Sequence, residues 1–393
     1  MLQPNPETEQ TPGAPVDVPL SIYVHIPWCI SLCPYCDFNT YAIRQTPFDA
    51  HHYIQALLAD AAFEQRWSLP RTIRSIFIGG GTPSLLPPPA LARLLQGLRC
   101  LWSFDPQIEI TMEANPGDVN LERLRAWHQT GVNRLSLGIQ SFNPEVLRRL
   151  GRRHDEKQAI AAIELAHQAG FNRINVDLMF GVPGQNPDMV ETDIGMALKL
   201  ESGHVSHYQL SIEPDTPFGR KPPRLPGEDA QWDMYRRTEH QLEKAGYDHY
   251  EVSAYALPGH QCRHNLNYWQ YGDYIGLGAG AYGKLTGLTN ILRYRKRLLP
   301  HDYMHHAGNW HSLIEWEQVY KSQRPLDFML NALRLRDGID KKLLRRSGIG
   351  EELFLPALQE GTRRGWFQET AHSIKPTRQG WLHLNEALLL FAP

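Results

Sequence analysis

The chain has 393 residues, enough for two domains or for one large domain with an appendage. Its 40 basic and 42 acidic side chains nearly cancel, which excludes a global field drawing it to nucleic acid or to an anionic membrane. No apolar run approaches the ~20 residues that span a bilayer, and five cysteines without a signal-peptide pattern argue for a reduced, cytoplasmic protein.

Residues 1–18, rich in Pro, Gln, Glu and Thr, are expected to form a disordered tail. From Ser21 onward, short β-branched runs alternate with longer helical patterns. Strands are expected at 22–26, 75–79, 108–114, 134–139, 173–179 and 205–212, and helices at about 48–66, 88–100, 120–130, 143–150, 155–169 and 187–200. Gly131, Gly170 and Gly246 each follow a helical stretch, where a C-terminal glycine belongs. Six strand–helix units within 19–215 predict an α/β fold with a parallel sheet and right-handed crossovers.

The section 216–300 carries a strand pattern at 250–256 and the glycine-rich run from Tyr274 to Gly283. A His-rich stretch with His301, His305, His306 and His311 is expected as an exposed linker over 301–324. In 325–393 the pattern is helix 326–335, helix 340–346, helix 351–364, a hairpin around 366–376 and helix 378–391. That order suggests a winged-helix-like module. Lys341, Lys342, Arg345 and Arg346 do not make the dense basic face that nucleic acid needs, so none is expected as a partner.

The chemistry begins at Cys29-Ile-Ser-Leu-Cys33-Pro-Tyr-Cys36, directly after the first strand. Three thiolates on a four-iron cubane leave one iron open, and an open iron can bind a small molecule. A Cys3His zinc site would recruit His25, only four residues before Cys29, and the short loop offers no second ligand knuckle. The other notable residues also fall at strand ends: Gly79-Gly80-Gly81-Thr82, Glu113, Gln140 and Asp177. Gly79 to Ser84 is neither a P-loop nor a Rossmann fingerprint, yet its glycines let the main chain approach a ligand closely. Glu113 and Asp177 sit inside apolar strands and need donors or a cation; Arg134 and Arg173 could also pair with them. Arg152, within a basic run, reads by itself more readily as part of a solvated face.

The spacing and its strand resemble the radical S-adenosylmethionine (SAM) superfamily. That resemblance implies a (β/α)6 partial TIM barrel carrying a [4Fe-4S] cluster on Cys29, Cys33 and Cys36, with SAM on the open iron and cleaved reductively to a 5′-deoxyadenosyl radical. Tyr-Val-His-Ile-Pro-Trp-Cys, Cys-Pro-Tyr-Cys-Asp-Phe, Phe-Ile-Gly-Gly-Gly-Thr-Pro-Ser, Gly-Ile-Gln-Ser-Phe and Asp-Leu-Met-Phe-Gly-Val-Pro-Gly look like the oxygen-independent coproporphyrinogen III oxidase family, from about residue 21 to the end. Matched motif by motif, the family implies SAM contacts at Tyr23, Tyr35, Gly80, Gly81, Thr82, Glu113, Gln140, Arg152 and Asp177.

Two features depart from the oxidase pattern: Phe38 stands where it has a fourth cysteine, and its long N-terminal extension is absent. His264-Asn-Leu-Asn-Tyr268-Trp269 instead resembles the His-Asn-x-x-Tyr-Trp signature of the HemW-type heme chaperones. The expectation is therefore a heme chaperone that delivers heme to acceptor proteins, with the radical decarboxylase as the alternative. His264 is the candidate axial ligand and Tyr268 and Trp269 the macrocycle contacts, with Arg263 or the run Arg293–Arg297 pairing with propionates. Cys262 is a second candidate ligand, and Cys100 is expected in the core. An electron donor, a membrane contact made only through an acceptor, and a monomer or cluster-dependent dimer complete the expectation.

Overall fold

The computed structural model describes residues 18–68, 70–287, 290–346 and 349–392, so the expected tail lies outside the described residues except for Val18. Twelve strands form one open sheet. In chain order they are β1 (Leu20–Ile26), β2 (Ile73–Gly80), β3 (Phe104–Ala114), β4 (Arg134–Gln140), β5 (Ile174–Phe180), β6 (Gly203–Gln209), β7 (Asp248–Glu251), β8 (Ala254–Ala256), β9 (Asp273–Leu277), β10 (Tyr282–Thr286), β11 (Ile291–Lys296) and β12 (Leu313–Gln318). Their order across the sheet is β12-β11-β10-β9-β1-β2-β3-β4-β5-β6-β8-β7. The pairs from β1 through β6 are all parallel, which makes the six expected strand–helix units a (β/α)6 partial barrel.

Period-two alternation sorts the side chains of these strands. On β1, Leu20, Ile22, Val24 and Ile26 are fully buried in the main apolar core. The intervening Ser21, Tyr23 and His25 face the barrel interior, where Ser21 Oγ meets Ser75 Oγ at 2.8 Å and Tyr23 stacks on Phe77. The connecting helices lie where the pattern put them, including Ala50–Ser68, Pro88–Leu101 and Leu121–Thr130, the last closed by Gly131 at φ 107°. Helix Glu156–Gln168 starts on a capping box between Asp155 and Gln158.

Beyond β6 the chain builds more sheet than its pattern indicated. The strand expected at 250–256 is a tight hairpin, β7–β8, laid antiparallel on β6. β9 returns to the opposite side and pairs parallel with β1, from Leu20 against Asp273 to Val24 against Leu277. The segment 301–324 is more than a spacer, since it holds most of helix Pro300–His306 and the edge strand β12, paired with β11. The His-rich stretch is nevertheless largely exposed there.

The C-terminal module packs helices Arg324–Ala332, Lys341–Arg346 and Leu355–Arg363 against a three-stranded antiparallel sheet of 339–340, 373–376 and 367–369. Phe328, Phe354, Ile374 and Phe391 form its core, which continues into Tyr271, Ile291 and Val319 of the barrel extension. The expected last helix is broken at His383 into Arg378–Leu382 and Leu384–Leu389. Among the described residues no helix is long and apolar enough to cross a membrane.

Candidate active site

The carboxyl ends of the parallel strands open into one cavity of about 680 Å³. Cys29, Cys33 and Cys36 line one wall as free, half-buried thiols. Their loop is held at several points. Tyr41 N donates to Pro27 O and Ile43 N to Cys29 O, so a two-residue ladder fixes Cys29. Cys36 N donates to Cys33 O at 3.2 Å, and Phe218 N donates to Pro34 O at 2.9 Å. Burial pushes the Cys29 thiol up to about 11, with Cys36 and Cys33 adding to it. A thiolate set enclosed in this way fits a cationic iron cluster that offsets its charge.

Glycines form the adjoining wall. Gly81 N donates to Ile26 O at 2.8 Å, and a Cβ on Gly81 would lie 2.7 Å from Trp28 O and 3.0 Å from Cys29 Sγ. Gly80 has φ 114°, with the His25 ring where a Cβ would go. That ring is fully engaged: Nε2 donates to Asn39 O and Nδ1 accepts from Tyr23 Oη, both at 2.9 Å. His25 is therefore not placed as a zinc ligand. Tyr23, which holds this ring, is not among the described residues that line the cavity.

Two carboxylates face the cavity between these walls. Glu113 Oε2 accepts from Gly80 N at 3.0 Å. Burial first, and then the Asp177 charge, push the Glu113 carboxyl up to about 8 against that amide. Asp177 accepts from Asn175 Nδ2 at 2.8 Å and Ser136 Oγ at 3.1 Å, yet burial still raises its carboxyl. Of the two arginines offered as partners, Arg173 bonds Glu109 at 2.9 Å instead, and Arg134 acts on Asp177 only as a nearby charge that lowers its carboxyl against the burial. Arg152 is no solvated side chain either: Nη2 donates to Gly138 O at 2.5 Å and Nη1 to Cys33 Sγ at 3.6 Å, and its buried Nε is unpartnered. Gln140, at φ 70°, accepts from Tyr208 Oη at 2.5 Å. The cavity thus collects Tyr35, Gly80, Gly81, Thr82, Glu113, Gln140, Arg152 and Asp177 with the cysteines.

The His264 motif forms helix Arg263–Trp269, which plugs the barrel. His264 is 1% exposed; Nδ1 meets Ser75 Oγ at 3.0 Å and Nε2 meets Tyr268 Oη at 2.8 Å. Burial holds its imidazole down at about 3, so it is neutral, but neither nitrogen is free for iron in this conformation. Tyr268 is likewise turned inward, and only Trp269 of the three reaches the cavity. Cys262 is fully buried and donates to Glu109 Oε1 at 3.6 Å, away from the cavity. The arginines expected at propionates are occupied elsewhere: Arg263 on Gln107 O, Arg293 on Asp327 and Arg295 on Glu315. Cys100, expected in the core, is exposed on the outer face of helix Pro88–Leu101.

Residues not singled out from the sequence complete the wall. Ser136, Ser206 and Tyr208 share the inward parity of Gln140 and Asp177, a signal that strand alternation could have supplied. Arg334 and Glu251 carry no such signal, because they come from the C-terminal module and the β7–β8 hairpin.

The profile of the radical SAM superfamily matches residues 23–197, and that of the HemN C-terminal domain matches residues 320–383. The heme chaperone HemW of Escherichia coli (strain K12) is 44% identical over 376 residues, covering 95% of this chain and 98% of the relative. The heme chaperone HemW of Bacillus subtilis (strain 168) is 33% identical over 384 residues, covering 94% and 98%. The solved structure of coproporphyrinogen III oxidase (HemN) from Escherichia coli superposes with a TM-score of 0.81 at 23% identity, covering 96% of this chain and 90% of that one, and so shares the fold.

Proposed function

The chain belongs to the HemW heme chaperone family within the radical SAM superfamily, and on that premise we propose that it binds heme and delivers it to acceptor proteins in the cytoplasm or at a membrane. Cys29, Cys33 and Cys36 would hold a [4Fe-4S] cluster, with SAM at the open iron. The observation that carries this reading is the single cavity that joins the cysteine loop to Trp269 of the His-Asn-x-x-Tyr-Trp motif. Two separate pockets would not couple a cluster to a cargo.

When bound, the cluster supplies an exchangeable coordination site and one electron. The chain's own residues do the rest. The opened main chain at Gly80 and Gly81 would admit the methionine end of SAM, and Glu113 would accept from its amino group. Asp177, with Ser136 and Ser206 beside it, suits a ribose diol. Arg152 steadies the cysteine loop through Cys33 and faces the same wall. Trp269 supplies an apolar face for the macrocycle. Axial ligation by His264 would require exchange of its Ser75 or Tyr268 hydrogen bond, so the plug helix would have to shift.

The test is anaerobic reconstitution followed by heme titration and transfer to a heme-free acceptor. We expect saturable Soret absorbance and its passage to the acceptor, with no protoporphyrinogen formed from coproporphyrinogen III, SAM and reductant. Cluster-loaded protein that binds no heme would overturn the reading, and protoporphyrinogen formation would replace it with the decarboxylase. Phe38 at the fourth-cysteine position favours the first outcome.

A further inference from the structure

Arg334 enters the cavity from outside the barrel, at the turn that follows helix Arg324–Ala332. The backbone fixes it there. Val252 N donates to Arg334 O, and Arg336 N donates to Tyr250 O, both at 3.1 Å. Its guanidinium carbon lies 4.4 Å from the centroid of the Trp269 ring. One contact partly neutralises it: Nη2 to Glu251 Oε2 at 3.4 Å, a long bond for an arginine–carboxylate pair.

Nearby donors are left over. Arg334 Nε and Trp269 Nε1 are both buried without a hydrogen-bond partner. A buried donor without a partner is costly, so two beside one cavity call for an acceptor. The acceptor present, Glu251, is a poor one. Its contact is long at 3.4 Å, and burial raises its carboxyl more strongly than Arg334 lowers it. The other cavity arginines are set differently: Arg152 donates to Cys33 and Gly138 beside the cysteine loop and Arg153, half exposed, lies 3.8 Å from Asp118, whereas Arg334 lies over an indole ring.

We propose that Arg334 and Trp269 form a carboxylate subsite in the cavity wall, where the guanidinium displaces Glu251 to take a propionate of the tetrapyrrole and the Trp269 face carries the macrocycle. This rests on the heme reading of the same cavity. SAM also has a carboxylate, but its expected partners are the open iron and the glycine wall. A planar dicarboxylate is the ligand that uses an arginine fork and an indole face together. The C-terminal module thereby becomes part of the cargo site.

The experiment compares heme with heme dimethyl ester by Soret titration of cluster-loaded full-length protein, and measures SAM affinity alongside. Wild type is expected to prefer heme by about tenfold or more, the worth of a charged hydrogen-bonded pair. Arg334→Met should abolish that preference and leave SAM affinity unchanged. Arg334→Lys should keep part of it. Glu251→Gln, which removes the competing carboxylate and keeps the arginine, should bind heme more tightly than wild type. The subsite is overturned if Arg334→Met and Glu251→Gln both retain the wild-type heme-to-ester ratio, or if Arg334→Met weakens SAM instead of heme. Wild type that binds neither tetrapyrrole would overturn the heme reading itself, a different result from a wild type that binds both equally.

Discussion

The main-chain amide of Gly80 donates to Glu113 Oε2 at 3.0 Å across the gap between β2 and β3, and among the described residues it is the donor that counters the burial of this carboxyl. Because the carboxyl is pushed up to about 8, the folded protein keeps a proton there that the unfolded chain releases near 4.5. Stability of the ligand-free protein should therefore fall as pH rises from about 4.5 to about 8, and Glu113→Gln should remove that slope. Cationic SAM has the opposite dependence. Its affinity should rise with pH up to about 8 with release of a proton, whereas Glu113→Gln should bind about tenfold more weakly with a flat profile. Calorimetric titration in buffers of different ionisation enthalpy reads both the affinity and the proton. A pH-independent wild type would remove Glu113 from the SAM site.

The three-cysteine loop has no spare ligand. Cys100 lies on an outer helix face and Cys262 is bonded to Glu109, so neither can substitute. Cys29→Ser, Cys33→Ser and Cys36→Ser should each reduce bound iron and inorganic sulfide to near zero after anaerobic reconstitution. Cys100→Ser should load fully. Full loading of any one of the three variants would reassign the cluster.

Most of the barrel was legible because its strands are buried on both faces and its helices are amphipathic, and each pattern has its own period. Glu113 and Asp177 stood out as carboxylates in apolar strands, a costly placement that marks a site before any contact is known. The strands β9 to β12 were harder to read. Tyr274 to Gly283 is glycine-rich, and the stretch that leads to β12 is polar and His-rich, so pairing partners far along the chain decide their state rather than local pattern. His264 shows the opposite failure. A histidine beside aromatic residues suits heme iron, but its use of both nitrogens on Ser75 and Tyr268 depends on how the plug helix docks, and no local sequence signal carries that.

The glycine wall predicts separable defects. Alanine at Gly81 would press on Trp28 O at 2.7 Å and on Cys29 Sγ at 3.0 Å, so Gly81→Ala should shift the cysteine loop. We expect reduced cluster occupancy in a folded protein, read from iron content at unchanged far-ultraviolet circular dichroism. Gly80→Ala instead combines φ 114° with a Cβ 2.6 Å from His25 Cε1, a backbone and a packing fault together. It should lower global stability by about 1–3 kcal/mol, measured by denaturant unfolding. Equal stability of the Gly80 variant and wild type would mean that the turn relaxes freely.

A buried ion cluster fastens the barrel extension to the first helix, and it makes the sharpest stability prediction. Lys296, at the end of β11, donates to Asp60 Oδ1 at 2.7 Å and to Glu64 Oε1 at 2.5 Å, with all three side chains almost wholly buried. Tyr303 Oη donates to Asp60 Oδ2 at 2.8 Å and Tyr294 Oη to Glu64 Oε2 at 3.0 Å, so every carboxylate oxygen has a donor. Removing the ammonium alone leaves two desolvated carboxylates facing each other. Lys296→Met should therefore cost about 3–5 kcal/mol, the range for breaking a buried pair by deleting one partner. Asp60→Asn/Glu64→Gln/Lys296→Met removes the charges together and should recover most of that loss. Urea unfolding of the single and triple variants decides it. A triple variant no more stable than Lys296→Met would show that packing, and not charge balance, holds β11 to helix Ala50–Ser68.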